Sequence, residues 1–344
     1  MHGFLRGSGF YPITIAAVIG IVALPLSLSA TTQSTSIAPA TASGWTINGH
    51  LKSDEIIIQS HRGAGELAPE NTTEAFELGW KLGTIPEADL RTTSDSQIVA
   101  FHDAAFERVV KNVPAELKGK GIKDVTWSEL SKLDVGAWAG SNFIGRRVSL
   151  MDEIFGLMSR HPERRIYLDI KNVHLPDLAA LVKKHGVEKQ VILAAPKHQT
   201  LLEWKSLVPQ SDTLLWVGGT LEQITAKFKA AAETGFQGIT QLQIHTHLST
   251  GTTNIARDAK DPFAEPDSFL MDAGNQLRKH GVLYQTLTYG GASREIHWKL
   301  LDLGLMSFAT DQPTMTKEAI AEYYKLAPRA PRKSTATIIE DSCQ

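Results

Sequence analysis

The chain has one cysteine, Cys343, placed one residue from its end. A lone thiol excludes an internal disulfide and a thiolate-built zinc site, so stability must come from a packed core and any bound metal. Charge of one sign is also missing: 35 Lys and Arg face 37 Asp and Glu, a formal net charge of −2. That balance gives no global basic field for nucleic acid or an anionic membrane, and a bound phosphate must be held by local groups. A membrane-length apolar run is absent too. The apolar stretch 13–24 falls short of the roughly 20 residues that span a bilayer. It follows a polar start with His2 and Arg6 and stops at Pro25, the layout of an export signal. Leu28-Ser29-Ala30 and Ala40-Thr41-Ala42 are candidate cleavage sites. We therefore expect a signal peptide over 1–30, no stable membrane span after its cleavage, and a periplasmic or secreted product. Residues 31–50, beginning in a Thr, Ser, Ala and Pro mixture, read as a flexible linker, and the Pro-interrupted basic stretch opening 327–344 reads as a disordered tail.

What remains, 51–326, is long enough for one α/β barrel and has a globular composition, 42% hydrophobic and 21% charged. Short apolar runs predict eight strands, at 56–60, 86–90, 166–170, 191–194, 213–217, 237–241, 282–287 and 306–310. Helical periodicity predicts helices over 73–82, 177–185, 221–234, 269–280 and 295–303. Gly83, Gly186, Gly235, Gly281 and Gly304 each follow a helix and precede a strand, where a left-handed cap is wanted. The repeated punctuation favours a closed (β/α)8 TIM barrel over an open sheet. One interval, 104–162, is too long for a simple crossover and predicts an insertion after the second strand. A strand over 97–101 would bring His102 back to the barrel mouth.

On a strand, residues two apart share a face, so Glu87 pairs with Asp89 and Asp169 with Lys171. At the C-terminal rim of a barrel three such carboxylates repel one another unless a cation neutralises them. An all-oxygen set suits one hard divalent ion, Mg2+ or Ca2+. His61 follows the first strand, Arg62 offers a planar fork for phosphate oxygens, and His102 returns to the same mouth. Two imidazoles can divide the proton work at a phosphodiester, one at the attacking oxygen and one at the leaving oxygen. Asp311 reads as a turn residue, His245-Thr246-His247 as a loop, and the tryptophans as core or rim packing.

Taken in order, His61-Arg62-Gly63, Pro69-Glu70-Asn71-Thr72, Glu87-x-Asp89, His102-Asp103, Leu168-Asp169-Ile170-Lys171 and Thr310-Asp311-Gln312-Pro313 resemble the motif series of the glycerophosphodiester phosphodiesterase family. The resemblance runs from about Ile56 to Pro313. It implies a TIM barrel, a divalent cation, and hydrolysis of a small glycerophosphodiester to sn-glycerol 3-phosphate and an alcohol. By position it implies His61 and His102 as the acid–base pair, and Glu87, Asp89 and Asp169 as metal ligands. Arg62, Glu70 and Lys171 would line the phosphate or substrate site. The chain departs from the family at Asp169, where Glu is common, at Ile85-Pro86, and at Tyr284-Gln285-Thr286-Leu287-Thr288-Tyr289, where a Trp-Thr-Val-Asn type sequence is usual. The alternatives are a phosphodiesterase for another diester, such as a lysophospholipid or a glycerol-phosphate polymer, and a non-catalytic headgroup-binding barrel.

Overall fold

Residues 45–249 and 253–326 are described by a computed structural model. The expected signal at 1–30, most of the expected linker, and the tail at 327–344 lie outside the described residues. The linker's last residues are ordered differently from expectation. Ile47–His50 forms one helical turn, α1, because Ile47 is apolar enough to bury itself in the main core.

Short runs rich in branched and apolar residues form ten strands among the described residues. They are β1 (Ile57–Ser60), β2 (Ile85–Thr92), β3 (Ile98–Ala100), β4 (Ser149–Leu150), β5 (Ile166–Asn172), β6 (Val191–Ala195), β7 (Asp212–Val217), β8 (Gln241–His247), β9 (Leu283–Tyr289) and β10 (Ser307–Thr310). Eight close into a parallel barrel in the order β1-β10-β9-β8-β7-β6-β5-β2, with β2 returning to β1 through Gln59 beside Ile85 and Ser60 beside Pro86. This is the predicted (β/α)8 architecture. The remaining strands extend it on one side: β3 pairs antiparallel with the outer end of β2, and β4 with β3.

The helices, after α1, are α2 (Thr73–Lys81), α3 (Trp127–Leu130), α4 (Met151–Met158), α5 (Leu175–His185), α6 (His198–Leu207), α7 (Leu221–Glu233), α8 (Asp267–Lys279), α9 (Arg294–Asp302) and α10 (Pro313–Lys325). Local chemistry sets their ends. The Thr72 hydroxyl accepts a bond from Ala75 N at 3.2 Å to start α2, and Gly186, at φ 66°, ends α5 in the left-handed region that glycine adopts without a Cβ clash. Inward faces such as Ala75, Phe76 and Gly79 of α2 pack on the strands. Burial of a side chain like Phe76 stabilises by about 1.5–3 kcal/mol, and many such contacts make up the layer between barrel and helices.

The barrel's interior is more polar than that layer. Tyr167 Oη donates to Gln241 Oε1 (2.7 Å), while Gln285 Nε2 reaches Tyr167 Oη (3.2 Å) and Ser307 Oγ (2.8 Å). Gln243 Nε2 donates to Gln285 Oε1 at 2.5 Å, so the inward polar groups of β5, β8, β9 and β10 satisfy one another.

Two expectations are corrected. The sixth barrel strand is not 237–241 but β8, which carries His245-Thr246-His247 as a strand end and not a loop. The insertion is also shorter than 104–162: β4 rejoins the sheet, and α4 packs Ile154, Phe155 and Met158 into the barrel's own outer core. What precedes β4 folds around a separate cluster including Phe106, Val110, Ile122 and Leu130, which explains how a segment poor in regular structure stays packed.

Candidate active site

Alternation along β2 turns Ala88 and Leu90 toward the helices and Glu87 and Asp89 into the barrel mouth, where they are 2% and 1% exposed. Asp169 lies beside Asp89 in the β2–β5 register. One carboxylate oxygen from each of Glu87, Asp89 and Asp169 lies within 4.8 Å of the others.

So close an acid cluster is unfavourable unless positive charge enters it. Burial and the charge of Asp89 push Glu87 up to about 8, and burial with Asp89 also raises Asp169 despite Lys171. Asp89 behaves oppositely. Burial opposes its charge, but Lys171, His102, Asn71 and Arg62 together hold its carboxyl below the usual range. Lys171 Nζ sits 2.7 Å from Asp169 Oδ2 and 3.1 Å from Asp89 Oδ1, which keeps the lysine charged. Asp89 Oδ1 is nonetheless buried without a hydrogen bond. An all-carboxylate set in which Asp89 Oδ1 has an ion-pair neighbour but no hydrogen bond fits a hard divalent cation, and Glu87, Asp89 and Asp169 are the residues that would hold it.

The loop after β1 is tied to this cluster. Arg62, at φ 53°, donates its backbone N–H to Glu87 Oε2 (2.6 Å) and its Nη1 to Glu70 Oε2 (3.0 Å). Asn71, at φ 58°, donates Nδ2 to Asp89 Oδ2 (2.8 Å) and accepts from Asp89 N (3.0 Å). Asparagine tolerates this left-handed backbone, and its amide does both jobs at once.

Each histidine is positioned by a carboxylate. The register of β1 with β10 sets Ser60 beside Thr310, so the next residues meet: His61 Nδ1 lies 2.7 Å from Asp311 Oδ1. Burial opposes a charge on His61, but the bond to Asp311 and the charges of Glu87 and Asp311 outweigh it and raise it to about 8. His102 Nδ1 lies 2.5 Å from Asp103 Oδ1. Its neighbour Phe101 donates N–H to Asp89 O (2.7 Å), and Arg91 donates Nε and Nη2 to the carbonyl of His102 (2.9 and 2.7 Å). Arg108, from the insertion, completes a chain. It binds Asp103 Oδ2 at 2.5 Å and Glu70 at 2.6 and 2.7 Å, linking His102 to Arg62 through two carboxylates.

Opposite the acids stands an aromatic wall. Trp216 of β7 reaches Asp169 Oδ1 through Nε1 at 3.4 Å and stacks on His245 with centroids 5.3 Å apart and planes at 9°. Tyr289, at the end of β9, meets His245 edge-on and stacks on His247 at 5.1 Å. Burial, then the charges of His247 and His61, push His245 down to about 4, so it is neutral at physiological pH.

All eight residues expected at the site, His61, Arg62, Glu70, Glu87, Asp89, His102, Asp169 and Lys171, lie at the C-terminal end of the barrel or on loops leaving it. Glu70 is occupied by Arg62 and Arg108. Sequence reasoning left unassigned Asn71, Arg108, Trp216, His245 and Tyr289, and it gave Asp311 to a turn. Asn71 had a signal, sitting within the Pro-Glu-Asn-Thr motif, and Asp311 had one in Thr-Asp-Gln-Pro; Arg108 had none.

The chain resembles known proteins in sequence and in fold. A glycerophosphodiester phosphodiesterase of Caldanaerobacter subterraneus is 30% identical over 175 residues, covering 48% of this chain and 69% of the relative. One of Bacillus subtilis is 26% identical over 291 residues, covering 77% and 86%. Among solved structures, the glycerophosphodiester phosphodiesterase of Agrobacterium tumefaciens superposes with a TM-score of 0.57 at 20% identity, over 76% of this chain and 99% of that one. A phosphodiesterase of Oleispira antarctica, solved with the product sn-glycerol-3-phosphate, gives 0.57 at 18% identity, over 77% and 96%. At such identities the likeness in structure carries the fold, while the family pattern spans most of the chain. Residues 61–315 match the glycerophosphoryl diester phosphodiesterase family, and the chain belongs to that family.

Proposed function

We propose that the protein hydrolyses glycerophosphodiesters to sn-glycerol 3-phosphate and an alcohol, using one divalent cation, Mg2+ or Ca2+, and the pair His61 and His102. The observation that carries this reading is the anchoring of both histidines to the strand that supplies Glu87 and Asp89. His61 adjoins the residue whose N–H binds the Glu87 carboxylate, and His102 adjoins the residue whose N–H binds the main-chain carbonyl of Asp89.

A cation held by Glu87, Asp89 and Asp169 would supply positive charge to the phosphate oxygens and lower the pKa of a bound water. The protein's own groups do the rest. Arg62 and Lys171 flank the cluster and offer charged donors to the non-bridging oxygens. Asp311 keeps His61 protonated at neutral pH, so His61 enters turnover as a proton donor; His102, its Nδ1 side fixed by Asp103, presents the other nitrogen as the acceptor. Hydrolysis breaks the bond between phosphorus and the alcohol oxygen, adds the oxygen of water to phosphorus, and leaves the proton on the alcohol. The expected export to periplasm or medium belongs to this proposal and is supported by the composition of residues 1–30.

Phosphorus NMR of a glycerophosphocholine digest tests the reading. We expect only glycerol 3-phosphate; phosphocholine as the phosphorus product would place the cleaved bond on the wrong side and overturn it.

A further inference from the structure

Beyond the acid cluster, between the insertion and the outer ends of β2 and β5, lies a cavity of about 280 Å³. Arg91, Gly119, Lys120, Lys123, Asp124 and Asn172 contribute to its lining. Arg91 stands two residues past Asp89 on β2, and Asn172 one past Lys171 on β5, so the cavity lies further out along the two strands that carry the acids. Arg91 joins the two physically, since the guanidinium on the cavity wall also holds the carbonyl of His102.

Its charge sets it apart from the rest of the mouth. Arg62, Arg108 and Lys171 are each committed to carboxylates. Arg91, Lys120 and Lys123 form no ion pair among the described residues, and the one acid in the lining, Asp124, has its Oδ2 engaged by Gly121 N at 2.9 Å. Nor are the two lysines on a loose loop: Ile122, between them, is buried in the insertion's core, and its N–H binds Ala104 O at 2.8 Å.

We propose that this cavity is a second anion subsite, which takes a further phosphate of the substrate on the His102 side of the scissile diester. The inference rests on the proposed hydrolysis and deepens it. The favoured substrates are diesters whose glycerol or alcohol carries its own phosphate, such as oligomers of glycerol phosphate, and not those with a cationic alcohol. Only the scissile phosphorus–oxygen bond is hydrolysed, water supplying the new oxygen, and the second phosphate leaves chemically unchanged.

Two matched probes isolate the effect: glycerophosphoglycerol, and bis(glycerophospho)glycerol, which adds one phosphodiester and a glycerol. Consumption of each by the full protein is followed by phosphorus NMR. We expect a higher kcat/KM for the bis compound, and in the Lys120→Ala/Lys123→Ala protein a roughly fivefold loss of that preference, through KM, with glycerophosphoglycerol unaffected. Lys120→Arg/Lys123→Arg should retain the preference. An equal ratio in the wild-type and alanine proteins overturns the subsite. If the wild type consumes neither probe, calorimetric binding of both to the same proteins separates the claims. Tighter, lysine-dependent binding of the bis compound keeps the subsite while the hydrolase reading fails, and equal affinities overturn the subsite as well.

Discussion

At the scale of single residues, the site works by giving every strained or charged group a partner, and the partners are where variants should be read. Removing Asp311 takes from His61 the bond and charge that raise it to about 8. A histidine whose folded pKa is raised stabilises the fold fully below its ordinary value near 6.5, and loses that contribution as pH rises through about 8. Asp311→Asn should therefore cost about 1 kcal/mol at pH 6, discounted for the exposure of Asp311, and close to nothing at pH 9.5. The alkaline fall of its activity should also begin at lower pH. Urea melts at the two pH values and a pH–rate profile check this; a pH-independent cost would deny His61 the proton we assign to it. Asn71→Ala should be more damaging, since it strips two bonds from Asp89 and forces alanine into a left-handed backbone. We expect a loss on the order of 2–4 kcal/mol, measured by the same melts.

At the scale of elements, the insertion is expected to act on chemistry through Arg108 and Asp103 without touching the scissile phosphate. Phe106 is fully buried in the insertion's own cluster. Phe106→Ala should cost about 3–5 kcal/mol of local stability and lower kcat, while metal affinity at Glu87, Asp89 and Asp169 stays unchanged. Hydrogen exchange confined to the insertion, beside titration calorimetry of the ion, reads both; a weakened ion would mean that the two regions are not separable. The loop after β1 is tighter. A Cβ on Gly65, at φ 59°, would lie 2.0 Å from Asp311 O, so Gly65→Ala should displace Asp311 and reduce turnover as Asp311→Asn does. This scale also shows what the sequence made legible. Seven of the eight barrel strands announce themselves because their outward residues form apolar runs, as in Val191–Ala195. β8 reads Gln-Leu-Gln-Ile-His-Thr-His, with its polar residues facing a polar interior, so an apolar-run criterion passes over it and His245 and His247 fall into a supposed loop. The acid cluster was legible because strand alternation fixes which carboxylates share a face. Arg108 was not, since only the separate packing of the insertion brings it to Glu70 and Asp103.

For the whole molecule, a closed barrel converts eight strand ends into one rim, and stability, metal and proton balance become linked there. An ion that binds only the folded chain stabilises it by about 2.7 kcal/mol at a hundredfold excess over Kd. Mg2+ or Ca2+ should raise the melting temperature of the wild type and not that of Glu87→Gln or Asp169→Asn. Because burial and Asp89 push Glu87 up to about 8, ion binding near pH 7 should release protons and tighten as pH rises. Calorimetry in buffers of different ionisation enthalpy measures that release; binding without proton transfer would show Glu87 already ionised. The central claim, that one acid cluster and two separately anchored histidines form a single hydrolytic centre, has a more direct test. Release of sn-glycerol 3-phosphate from glycerophosphocholine would be measured for wild type, His61→Ala and His102→Ala, each with Mg2+, with Ca2+ and with excess chelator. We predict product from the wild type with an ion and none with chelator, and a fall of about 10²–10⁴-fold in each alanine variant with the fold retained by circular dichroism. Turnover that survives chelation, or that persists in either histidine variant, would contradict the account.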